Sequence, residues 1–245
     1  MNGWIPFWNI LRKDIKAYYL KPPNITWGII FPLAWTAMFF IRTGGEVGDI
    51  LSLLPGVTAV SILFGATSML AVTVTFEKKN RSFERLLLAP ISFQTLMLAK
   101  TGGAILFGAL NTLVPILMAA LWADLSSIAW FPFVSAVFLI AITSTFMGLF
   151  IAVAVNEVFE AQTYSNFFRF PMIFLCGLFF PIERLPAALQ AIAYALPLTY
   201  GADMLRGAVL GENIMPLSLN FVVLCAFCAA LFMASLWNIK RKWIQ

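Results

Sequence analysis

Residues Phe76 to Pro90 (Phe-Glu-Lys-Lys-Asn-Arg-Ser-Phe-Glu-Arg-Leu-Leu-Leu-Ala-Pro) carry charges of both signs: Glu77, Lys78, Lys79, Arg81, Glu84 and Arg85. Asn80 and Ser82 add neutral donors and acceptors. Phe83, Leu86 and Leu87 recur at helical spacing, and Pro90 stops the helix. Mixed charge beside one apolar face suits a protein partner better than lipid alone, although an ordinary basic loop has the same composition. A second set of polar residues, Thr58, Ser61, Thr67, Ser68, Asn111 and Thr143, is scattered through apolar runs. They are candidates for a translocation path; the commoner use of such residues is hydrogen bonding between membrane helices.

Other chemistry is missing. The chain has no histidine. That removes the usual general base, the commonest zinc ligand and the base of a serine protease triad. Cys176, Cys225 and Cys228 all sit in apolar runs. The Cys225-x-x-Cys228 pair has no second pair to complete a metal site, so all three read as small buried side chains. No Walker A motif is present, so the chain has no P-loop of its own for ATP.

The elements that position these residues follow from composition. Of 245 residues 61% are hydrophobic and 11% charged, where a soluble domain carries roughly a quarter charged. Mean hydropathy is +0.90. This excludes a soluble enzyme, a disordered chain and a nucleic-acid-binding module. Six continuous runs approach the ~20 residues needed to cross hydrocarbon: Ile25–Ile41, Leu51–Phe76, Gly102–Trp122, Ile128–Val155, Ala161–Ile182 and Leu217–Ile239. They do not alternate, which argues against a barrel. The expected fold is an all-α integral membrane protein with six transmembrane helices.

Thirteen of the 16 Lys and Arg fall on one side of these runs, with Arg169 counted there as part of the fourth connection. Arg42, Arg184 and Arg206 fall on the other. The positive-inside rule then places both termini in the cytoplasm. Residues 1–24 are too polar for a cleaved signal peptide. Trp4, Phe7, Trp8, Leu11, Ile15, Tyr18 and Tyr19 share a helical face opposite Asn9, Arg12, Lys13 and Lys16, which predicts an amphipathic helix in the inner interface, ended by Pro22-Pro23. Leu185–Tyr200 is too short and too interrupted, by Pro186, Gln190 and Pro197, for a seventh span. It predicts an outer re-entrant helical hairpin, about 183–207, before the last span. Asp203 and Arg206, at i and i+3, are positioned to form an ion pair there. Glu157 and Glu160, in the second inner connection, read as solvated. No acidic residue or lysine is expected at mid-membrane depth, which weighs against a proton-driven carrier.

The stretch from Glu77 through Pro90-Ile91-Ser92 to Lys100 resembles the loop of ABC-2 type transporter permeases. So do Gly177 to Pro181, Leu185-Pro186, Ala195-Leu196-Pro197-Leu198-Thr199-Tyr200, Asp203 and Arg206-Gly207, which are similar to the segment before that family's last helix; Leu196 stands where Asn is common. The resemblance covers essentially the whole chain, with residues 25–245 as the transmembrane domain. It implies the membrane subunit of an ATP-driven exporter in a bacterial or archaeal inner membrane, working as a dimer, by default a homodimer, with two copies of a separate P-loop ATPase. ATP and Mg2+ would bind that partner, not this chain. Glu77, Lys78, Lys79, Asn80, Arg81, Ser82, Phe83, Glu84 and Arg85 would form the coupling helix (about 77–90), Phe83 filling a groove on the ATPase. Glu183, Arg184, Pro197, Tyr200, Asp203 and Arg206 would belong to the outer hairpin capping the exit. Family substrates range over drugs, lipid-linked sugars, polysaccharides and ions. A carrier or pore that needs no ATPase is the alternative, since transport requires no motif.

Overall fold

The computed structural model describes residues 4–19, 26, 30, 33–34, 37–38, 41, 47–178 and 181–243. The expected first span, Ile25–Ile41, is represented by isolated residues only, and Pro22, Pro23 and Arg42 lie outside the described residues. Regular structure among the described residues is all helical. In chain order the helices are α1 (Trp4–Asp14), continued by a π-helical turn (Ile15–Tyr19), α2 (Val47–Lys79), α3 (Ser82–Leu87), α4 (Phe93–Leu110) and α5 (Leu113–Ala120). Then come α6 (Trp130–Ala154), α7 (Val158–Leu175), α8 (Ala187–Tyr194), α9 (Pro197–Leu210) and α10 (Leu217–Trp243).

Among the described residues four stretches are long and apolar enough to cross a bilayer: Ile50–Lys79, Gln94–Ala120, Trp130–Ala154 and Leu217–Ile239. They match the second, third, fourth and sixth runs. The fifth run yields α7, an 18-residue helix interrupted by Arg169 and Pro171; it ends before Gly177, which adopts the left-handed φ of 84°.

α2 is the axis of the molecule. Its 33 residues extend about 50 Å, well beyond a ~30 Å hydrocarbon core. It packs along α6 and also against α4, α7 and α9. Small residues allow the closest crossings. A Cβ on Gly108 would lie 2.7 Å from Cβ of Ala66, and one on Gly148 would lie 2.6 Å from the Thr67 carbonyl oxygen. The inner end of the bundle has its own apolar cluster, including Ile10, Leu70, Val74, Phe83, Leu96 and Ile239.

The third run is not one helix. Pro115 has no N–H to give the Asn111 carbonyl, so the ladder breaks there and α5 starts afresh at Leu113. Its inner end also begins earlier than Gly102, at Phe93, after the Ser92 side chain accepts from the Thr95 N–H. Lys100 therefore lies inside α4 rather than in a loop.

Candidate coupling face and membrane interior

At the inner end of α2, four charged side chains from three helices converge. Lys100 Nζ on α4 donates to both carboxylate oxygens of Asp14 on α1, at 2.9 and 2.8 Å. It also donates to Glu77 Oε1 at 2.6 Å. Lys13 donates to Glu77 and lies 3.2 Å from Asp14. Lys100, Asp14 and Glu77 are at most 1% exposed, whereas Lys13 keeps 39%. Two cations and two anions cancel, which is the condition for burying any of them. Burial pushes the Asp14 carboxyl above its usual range, with Glu77 adding to the shift and Lys100 opposing it. Burial pulls on Lys13 in the opposite sense, but its hydrogen bond to Glu77 and the field of both carboxylates win, so its pKa is raised.

The next two residues tie α2 to the second inner connection. Lys78 Nζ donates to the Val155 carbonyl at 2.9 Å, placing a cation at the C-terminus of α6. Lys79 pairs with Glu157 at 2.6 Å in the open. Glu157 and Glu160 are not merely solvated: they form a reciprocal capping box that starts α7. The chain then turns through Asn80 and Arg81, the latter at φ 53°. Ser82 Oγ donates to the Glu77 carbonyl at 3.2 Å.

On α3, Arg81, Glu84 and Arg85 face outward. Leu88, one turn further on, is 86% exposed. Phe83 is 2% exposed and packs into the inner cluster of the chain itself, so it is not free to fill a groove on a partner. Glu77 likewise is turned inward.

The six candidate path residues, Thr58, Ser61, Thr67, Ser68, Asn111 and Thr143, are all buried. Ser61 donates to the Val57 carbonyl at 2.8 Å and Thr143 to that of Leu139 at 2.7 Å, the back-bonding usual for hydroxyls on apolar helices. Thr143 also meets Cys228 Sγ at 3.0 Å. The three cysteines are free thiols. Ser68 differs: its Oγ accepts from Arg169 Nη2 at 2.7 Å. Arg169 is fully buried in α7, with its guanidinium 4.9 Å from the Phe64 ring. It is therefore not a charge of the inner connection, as its position in the fifth run had suggested.

At the end of the bundle away from the ionic cluster, α8 and α9 form a helical hairpin, with α9 packed against α2, α6 and α10. Pro197 is buried at its first turn, where a missing N–H costs nothing. Tyr200 Oη donates to the Tyr194 carbonyl at 2.8 Å, closing the hairpin. Asp203 does not pair with Arg206. Its carboxylate accepts from the backbone N–H of Ile214 at 2.8 Å and of Met215 at 3.0 Å, and from Asn220 Nδ2 at 2.7 Å. It thereby fastens the loop leading into α10. Arg206 instead approaches Glu212 at 3.8 Å, while Glu183 and Arg184 are exposed. A cavity of about 240 Å3 lies at this end, bounded by α2 from Ser52 to Val60, by Cys176–Leu178 after α7, and by Thr199, Asp203 and Arg206.

The model of the ABC-2 type transporter family matches residues 6–210, a range that takes in the ionic cluster, α3 and the outer hairpin. The chain belongs to this family. Curated relatives agree over nearly full length. The inner membrane transport permease YadH of Escherichia coli K12 is 23% identical over 98% of this chain and 96% of its own. Nodulation protein J of Rhizobium leguminosarum bv. viciae is 27% identical, over 98% and 95%. That of Rhizobium meliloti is 26% identical, over 98% and 95%. As an ABC-2 permease the chain is a multi-pass membrane subunit of an ABC transporter, a family that usually works with an ABC ATPase.

Two residues of this ABC-2 permease stand outside the candidates named from its sequence: Asp14 and Leu88. Asp14 was legible as an acid on the apolar side of α1, three residues after Leu11 and four before Tyr18. Leu88 continues the spacing Arg81, Glu84 or Arg85, Leu88. Lys100 closes the stretch that resembles the family's loop, but its two carboxylate partners became legible only when the fold brought them to it.

Proposed function

We propose that this permease is half of an ATP-driven exporter, pairing with a second permease chain, by default another copy of itself, and with two copies of a separate P-loop ATPase that holds ATP and Mg2+. The observation that carries the reading is the exposed stripe Arg81, Glu84, Arg85 and Leu88 on α3, rooted in the buried Lys13–Asp14–Glu77–Lys100 cluster. The stripe offers charge-assisted donors around an apolar knob, the composition of an interface hot spot. The cluster makes α1, α2 and α4 move with α3, so closure of an ATPase pair beneath it would tilt the helices lining a cleft.

In this reading six spans place both termini in the cytoplasm of a bacterial or archaeal inner membrane, and the α8–α9 hairpin re-enters from outside to cap the exit. The substrates are amphipathic: drugs, or lipid-linked or glycan-type molecules. Two measurements test it. A mild-detergent pull-down from the native membrane is expected to recover a stoichiometric P-loop ATPase; recovery of this chain alone across several detergents would instead favour an autonomous carrier or pore. In the assembled transporter, the double variant Arg81→Glu, Arg85→Glu is expected to abolish substrate-stimulated ATP hydrolysis while the permease keeps its melting temperature. Unchanged stimulation would rule out the α3 stripe as the coupling surface.

A further inference from the structure

Arg169 lies eleven residues beyond Val158, the first residue of α7, and Ser68 lies eleven before Lys79, the last of α2. At 1.5 Å per residue both sit about 16 Å from the inner end, near the middle of the hydrocarbon layer and too deep for the side chain to snorkel out. Its oxygen partners are neutral: Ser68 Oγ at 2.7 Å and Asn166 Oδ1 at 3.3 Å. Among the described residues no carboxylate pairs with it. Its Nε has no acceptor at all. Two turns earlier on the same face of α7, the buried amide nitrogen of Gln162 is also without one. Gln162, Asn166 and Arg169, at i, i+4 and i+7, thus form a seam on one face of α7, rich in donors and short of acceptors, that meets α2 at Ser68.

A guanidinium in this setting is expensive unless something negative shares the site part of the time. What the seam lacks is an oxyanion. Two further features bear on access. Pro171 lies two residues beyond Arg169 and weakens the ladder of α7 at that point. The 240 Å3 cavity begins two turns outward, between Val60 on α2 and Cys176.

We propose that the Gln162–Asn166–Arg169 seam is a binding site for the oxyanion of an acidic amphiphile, phosphate or carboxylate, whose chain extends toward the outer cavity as α7 parts from α2. This deepens the transport reading, on which it rests, by giving the substrate a charge. Among the family's chemistries it selects anionic lipid-like molecules over cations.

The test uses the purified full chain in neutral detergent, with thermal stabilisation as readout and dodecyl phosphate, an uncharged dodecyl ether and inorganic phosphate as probes. Wild type is expected to be stabilised by dodecyl phosphate at a concentration at least tenfold below that needed for the ether. Gln162→Leu is expected to weaken that preference several-fold and Arg169→Gln to erase it. Arg169→Lys keeps the charge but loses Nε and the planar fork; it should also bind several-fold more weakly, and serves if the glutamine variant does not fold. Equal response of wild type and the Arg169 variants would overturn the site. A shift of the same size with inorganic phosphate alone would overturn the amphiphile. Binding here needs no ATPase. A chain that discriminates anions yet recovers no ATPase sinks the exporter reading only, and the reverse result sinks this site only.

Discussion

Lys100 and Asp14 are 86 positions apart in sequence and meet at 2.8 Å, with both side chains 1% exposed. This contact ties α1 to α4, alongside the packing of Ile10 in the apolar cluster and the Lys13–Glu77 bond to α2. Glu77 closes the group from α2, so the protein places a cation between two anions where neither water nor salt can compensate.

Replacing Lys100 by Met leaves two carboxylates facing each other with only half-exposed Lys13 to balance them. The expected loss is about 3–5 kcal/mol, the usual penalty for orphaning a buried charge. Thermal melts of the detergent-solubilised chain measure it. The compensating pair Lys100→Glu with Glu77→Lys should recover part of the loss; no recovery would mean that side-chain packing dominates over charge.

Acid and base act on this cluster at different ends of the scale. Asp14 has a raised pKa, so it takes up its proton more readily in the folded state. Its contribution is fully present below the usual carboxylate value and is lost as pH rises from about 4 through the folded pKa. The stability of wild type relative to Asp14→Asn should therefore fall over that window and then level. Lys13 is also raised, so its contribution persists up to the ordinary lysine pKa and is lost above about 10.5. Melting temperature against pH for wild type, Asp14→Asn and Lys13→Met reads both.

Phe83 and Leu88 sit five residues apart and should fail differently. Phe83→Ala empties a buried site and is expected to cost about 3–5 kcal/mol of stability. Leu88→Asp alters an exposed residue, so the melting temperature should stay within the range of a surface change. Affinity for the ATPase should fall at least tenfold, as co-purification or surface binding would record.

Asp203→Ala would leave the N–H groups of Ile214 and Met215 and the Asn220 amide without their acceptor. A loss on the order of 3 kcal/mol is expected, together with faster proteolysis of the 211–216 loop. Arg206→Ala breaks only a long, exposed pair and should stay below about 1 kcal/mol.

Gly148→Ala would push a methyl group against the Thr67 carbonyl, 2.6 Å away. Backbone on both sides cannot yield easily, so overpacking of about 1–3 kcal/mol is expected. Gly211, with nothing near its Cβ but a φ of 75°, is a different case. Its cost comes from conformation alone.

The apolar runs made the second, fourth and sixth spans legible, because lipid demands about 20 apolar residues per crossing. The break in the third was hidden, since Asn111-Thr112 interrupts a run whose average hydropathy barely changes; Pro115 was the sign of it. Counting charges between runs misplaced Arg169, because a charge that pairs with neutral side chains inside the bundle looks, in sequence, like one that edges a loop. Lys100 also looked like a loop charge, because its partners Asp14 and Glu77 lie 86 and 23 positions away in sequence. The i, i+3 spacing suggested an Asp203–Arg206 pair, but unsatisfied N–H groups before α10 compete better for the carboxylate than an exposed cation does. The capping box at Glu157 and Glu160 was hidden as well, because Glu157 stands at the N-cap where the usual signature has Ser or Thr, and two exposed acids look like a solvated loop.

The interruption at Asn111 and Thr112 divides the third run into two helices, while its neighbour α2 continues through Pro55 as one helix of 33 residues. On the proposed coupling reading, a tilt imposed at Glu77 would reach the Ser52–Val60 wall of the cavity along this one element, without crossing a joint between helices.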